Sequence, residues 1–164
     1  LSDTLIMKPD ESAQKGLRVV VKALHFPEYL SRPHIVVRQG ENQLQLSEFQ
    51  RWGEPLKSGF LRVLILGLGD YRLLAYQQNR LNKEPIDYQL QLEVTKFEVN
   101  TQHQAWLKLR WVLLNAQGNT LLAQDEQFSV SILGDDFNAK VHAQSQLIAQ
   151  LAQRIAEKIK AVTE

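Results

Sequence analysis

Across residues 86–94, apolar and polar side chains alternate without a break. Ile86, Tyr88, Leu90, Leu92 and Val94 stand against Asp87, Gln89, Gln91 and Glu93. A period of two places the first set on one face of a β-strand and the second on the other. The chain must therefore build a sheet with one covered face and one wet face. Phe97 and Val99 resume the pattern one residue late, which predicts a β-bulge at Thr95-Lys96. Residues 105–114, with Leu107, Leu109, Trp111 and Leu113 on one side, read as the next strand. Residues 120–132, with Phe128, Val130 and Ile132 on one side, read as another, joined to it through residues 115–119. The three strands form an antiparallel meander, the usual arrangement for a sheet wet on one face.

The covered face requires helices. Asp135 or Asp136 suits the start of a long C-terminal one, since a carboxylate there accepts from free backbone N–H groups. Val141, Ile148, Leu151, Ile155, Ile159 and Val162 recur near helical spacing along it. A second helix starts at Pro55 and runs to about residue 68. Leu56, Phe60, Val63, Leu64 and Gly67 form its apolar face, and Gly67 and Gly69 serve as stop signals. Upstream, residues 4–7 suggest a short first strand and residues 8–15 a loop. Residues 17–24 read as a strand buried on both faces, because Val19, Val20 and Val21 are consecutive. Residues 34–38 and 43–46 form a hairpin in which Gly40 or Asn42 supplies a positive φ. Residues 73–76 are a further short strand. The sum is one α+β domain over residues 1–164: a largely antiparallel sheet of about six strands packed with two helices, the C-terminal one long.

Composition removes several function classes. Nineteen basic against eighteen acidic residues leave a net charge of +1, without the basic excess of a nucleic-acid binder. There is no cysteine, so disulfides, thiolate metal sites and Cys nucleophiles are excluded within these residues. No apolar run reaches the length of a membrane span. The start at Leu1 rather than Met reads as a processed chain. His25, His34, His103 and His142 lack metal-ligand spacing. Gly67-Leu68-Gly69 has Arg72 where a dinucleotide fingerprint needs its third glycine, and it follows a helix rather than a strand. Glu28, Glu48 and Glu54 show no acid/base arrangement, and Glu48 and Glu54 suit ion pairs or caps near Arg51 and the helix start. These patterns single out no catalytic, cofactor-binding or metal-ligating residue.

One stretch stands apart. Residues 26–56, FPEYLSRPHIVVRQGENQLQLSEFQRWGEPL, concentrate aromatic-proline and arginine-proline steps in one unit. Pro27, Tyr29, Leu30, Arg32, Pro33, Ile35, Val36, Arg38, Asn42, Leu44, Glu48, Arg51, Trp52, Glu54, Pro55 and Leu56 follow the signature of the PqiC-like family. The chain thus resembles the lipoprotein auxiliary components of ABC-type, MCE-linked envelope transporters. It departs from that pattern at Phe26, Ser31 and Gly53.

The resemblance implies a non-catalytic accessory subunit at the periplasmic face of the outer membrane. It would be anchored by acyl chains on an upstream Cys and would partner an MCE-domain periplasmic protein and an inner-membrane component. Self-association around a ring-shaped partner is consistent with that role. Tyr29, Arg32, Pro33, Arg51 and Trp52 either tie the signature to the sheet or shape a docking surface; motif spacing does not separate the two. A different class of reading is a periplasmic carrier holding lipid or another small molecule between sheet and helix. Large residues such as Phe97, Trp106, Trp111 and Phe128 point instead to a filled core. A hydrolase reading rests only on scattered Glu and His.

Overall fold

A computed structural model describes residues 16–31, 34–40, 43–51, 55–78 and 84–164. The expected strand at 4–7 and the loop after it lie outside the described residues. Seven strands and two α-helices are present among those described. They are β1 (Arg18–His25), β2 (His34–Arg38), β3 (Leu44–Arg51), α1 (Leu56–Gly69), β4 (Leu74–Gln77), β5 (Tyr88–Asn100), β6 (Gln104–Asn115), β7 (Thr120–Ser131) and α2 (Phe137–Thr163).

β5 is the axis of the sheet. One of its edges pairs with β6 along its whole length, and β6 pairs with β7, both antiparallel. Its other edge is shared: β1 runs parallel to Tyr88–Glu93, and β2 runs parallel to Val99 and Asn100. β1 carries β4 in parallel, and β2 carries β3 antiparallel. The sheet therefore forks around β5. The long ladders are antiparallel as expected, whereas the parallel junctions at the fork are additional. Val19, Val20 and Val21 are all buried, as a strand flanked by parallel neighbours requires.

The bulge falls where the phase flips. The β5–β6 register passes from Val94↔Leu109 to Lys96↔Lys108, leaving Thr95 as the extra residue. Leu90, Leu92 and Val94 before it and Phe97 and Val99 after it all join the core. α2 packs on α1 and across β5, β6 and β7, while α1 packs on β4. Leu147, Ile148, Leu151 and Ile155 are fully buried with Leu107, Trp111 and Leu113. The space that a carrier would have to open is filled by these side chains. Phe60 of α1 stacks edge-to-face on Phe26 and Phe97, with centroids 5.4 and 5.5 Å away. Val162, assigned to the apolar face of α2, is exposed, because it lies in the last turn of the helix.

The helix ends are individually built. Asp136 caps α2, its side chain accepting from the Ala139 N–H at 2.8 Å. Gly67 does not stop α1; it lies inside the helix against Ala152 of α2. The helix closes instead through a paired C-terminal motif, Leu73 N–H to the Leu68 carbonyl and Arg72 N–H to the Gly69 carbonyl. The residue in the left-handed conformation is Arg72, at φ 63°. A side chain there is strained, so Arg72→Gly is expected to stabilise the fold by about 0.5–1 kcal/mol, read from the urea midpoint. In the β2–β3 hairpin, Gly40 does not adopt a positive φ, and Asn42 lies outside the described residues.

Candidate docking surface

Two described residues of the signature, Tyr29 and Arg38, meet beside the bulge in β5. On the forked edge, β1 stops pairing at Glu93 and β2 begins at Val99. The segment between them would present unpaired backbone groups. The β1–β2 crossover fills that gap. Pro27, at φ −65°, leads into a single 3-10 turn at Glu28–Leu30, in which Leu30 is buried and Tyr29 half-buried. The Tyr29 hydroxyl donates to the Thr95 carbonyl at 3.1 Å. The Thr95 hydroxyl donates to the Lys108 carbonyl, also at 3.1 Å. The extra residue of the bulge is thus held from both sides.

Next to it lies a buried carboxylate. Glu98 is 2% exposed. Arg38, from the end of β2, grips it as a fork: Nε donates to Oε1, and Nη2 donates to Oε2 at 3.2 Å. The Tyr29 hydroxyl lies 3.5 Å from the same Oε2. Hydrogen bonding to Glu98 raises the Arg38 pKa, so the guanidinium is charged at every accessible pH. Burial, and then the Glu98 charge, push the Tyr29 phenol up to about 12.

A phenol whose folded pKa lies above its ordinary 10.0 favours the fold while it is neutral. That contribution is complete below pH ~10 and falls away as pH rises towards about 12. Tyrosinate absorbance is expected to show one late-titrating phenol that disappears in Tyr29→Phe. The variant should also lack this part of the alkaline loss of stability.

Of the expected docking residues, Tyr29 is brought together with Arg38 and Glu98 and points inward. Arg51 ends β3, opposite His34 in register. Arg32, Pro33 and Trp52 lie outside the described residues. Arg38 belonged to the signature but had been given no role. Glu98 had been missed altogether; its signal was a carboxylate between two core residues, just past the predicted bulge. Trp106 was counted as core, yet it stands on the open face opposite Glu98 and is only half-buried. The alternation of β6 itself sets its face: Ala105, Leu107, Leu109 and Trp111 are buried, and Trp106 falls between them on the other side.

At the other end of the molecule, a groove of about 540 Å³ opens between Leu17, Tyr71, Leu73, Ile159 and Thr163. Among the described residues, no helix is long and apolar enough to cross a membrane, and no group of His, Asp and Glu could hold a metal ion.

Fold and site together define a small α+β domain whose forked sheet is locked by a buried Arg–Glu–Tyr cluster. The chain belongs to the family of ABC-type transport auxiliary lipoprotein components, whose model matches residues 2–156. Among curated proteins, none matches it significantly. An uncharacterised protein of known crystal structure is similar at 19% identity and a TM-score of 0.76, over 89% of this chain and 95% of that one. Protein XCC0632 from Xanthomonas campestris, of family DUF330, is similar at 18% identity and a TM-score of 0.71, over 87% and 83%. A PelC variant dodecamer from Paraburkholderia phytofirmans shares the fold more distantly, at 9% identity and a TM-score of 0.50, over 82% and 85%.

Proposed function

We propose that this domain is a non-catalytic docking subunit of an MCE-type system that moves lipid between, or maintains, the envelope membranes. Acyl chains on a cysteine outside these 164 residues hold it at the periplasmic face of the outer membrane. The domain receives the end of an MCE-domain periplasmic protein, which an inner-membrane component anchors on the far side. The observation that carries this reading is the family match over nearly the whole chain.

Arg32, Pro33, Arg51 and Trp52 supply the contact surface. Tyr29 fixes the β1–β2 crossover through its bond to the bulge. Self-association fits the same role, because a collar around a ring-shaped partner favours cyclic symmetry. The PelC relative of like fold is itself a dodecamer.

The test is co-purification of the intact lipoprotein with its MCE partner from gently solubilised envelopes. Recovery of the partner is expected, with marked loss in an Arg51→Glu variant that keeps the native unfolding midpoint. Failure to recover the partner under conditions that preserve the complex sinks the reading.

A further inference from the structure

We propose that the open face of the sheet carries a binding site for a phosphate ester, built on Lys96 and Lys108. The bulge at Thr95 sets these two lysines directly opposite each other in the β5–β6 register. Both are exposed, and neither has an ion-pair partner among the described residues. Like charges directly opposed across an antiparallel pair weaken it. The neighbouring position shows the ordinary solution, with Arg110 placed between Glu93 and Asp125 in register. The unrelieved pair is therefore a local cost that a bound anion would remove.

The surroundings form a pocket of about 210 Å³, whose walls include Arg38, Glu98, Trp106 and Gln127 beside the two lysines. Arg38 and Glu98 neutralise one another, so the pocket keeps the charge of two ammonium groups. Lysines present rotatable donors as compact charges, which suit a tetrahedral oxyanion with several acceptors. A planar carboxylate is better matched by a guanidinium fork, and the fork lining this pocket is committed to Glu98. The Gln127 amide adds a neutral donor. Trp106 is half-buried and offers its indole to an organic substituent, which favours an ester over inorganic phosphate. The ester can belong to a soluble molecule or to a lipid headgroup.

The site does not depend on the docking role, and its test is separate. Glycerol phosphate is titrated into the protein by calorimetry at low salt, and flotation is measured with vesicles of phosphatidylglycerol and of phosphatidylcholine. Glycerol phosphate is expected to bind, with Lys96→Gln and Lys108→Gln each weakening it about tenfold. Binding confined to phosphatidylglycerol vesicles and lost in the double variant also supports the site and makes a lipid its source. The unliganded double variant should unfold at the same temperature as the parent or higher, which separates lost binding from lost folding. The proposal is overturned if neither probe binds, if the double variant binds as well as the parent, or if succinate competes as strongly as glycerol phosphate.

Discussion

Replacing Arg38 by methionine is expected to lower the unfolding free energy by about 3 kcal/mol, whereas Glu98→Gln should cost only about 1–2 kcal/mol. The asymmetry follows from burial. The Glu98 side chain is 3% exposed and that of Arg38 is 24%. Without the guanidinium, a nearly dry carboxylate keeps only the long contact from Tyr29. Without the carboxylate, the guanidinium still reaches water, and the glutamine amide still offers an acceptor. The double variant should recover much of the Arg38→Met loss, because an unpaired buried charge costs more than the net worth of the pair. Urea midpoints of the single and double variants decide the matter. Equal losses in the two single variants would mean that the pair is effectively solvated and that the fork is held by packing alone.

Much of the fold was legible because one pattern carried it. The alternation across residues 86–94 and its slip by one residue located β5, its covered face and its bulge, and the meander followed from the same period. The helices were legible from their apolar spacing. The fork was not. It depends on two separate strands, β1 and β2, adding in parallel to successive parts of one edge, and local periodicity contains no information about such distant pairing. The site was half legible for the same reason. Tyr29 and Arg38 stand in a conspicuous signature, but the group they meet, Glu98, is 60 residues or more away in sequence. Only the bulge, which shifts Glu98 to the face reached by Arg38, brings them together. Gly67 was misread because a glycine near a helix end usually terminates it, and a need for space leaves the same mark in sequence as a need for conformational freedom.

That need for space at Gly67 carries the other large effect. A Cβ at Gly67 would lie 2.8 Å from the Cβ of Ala152, which is fully buried in α2. Both atoms are rigidly attached to helical backbone, so no rotamer change can relieve the clash, and the helices must move apart. Separation would disturb the layer that seals the sheet, since α2 packs on α1 as well as on β5, β6 and β7. Gly67→Leu is accordingly expected to destabilise the domain by about 3 kcal/mol. Gly67→Ala should cost less, because alanine returns about 1 kcal/mol of helix propensity against the same steric conflict. The decisive comparison is the exchange Gly67→Ala with Ala152→Gly. It moves one methyl group from one helix to the other and leaves overall helix propensity unchanged. If close approach is the reason for glycine, the exchange should restore stability to within about 0.5 kcal/mol of the parent, and the two single substitutions should be clearly non-additive. If Gly67→Leu leaves the unfolding midpoint unchanged, or if Ala152→Gly fails to rescue Gly67→Ala, then the helices are not held at this distance by the missing side chain.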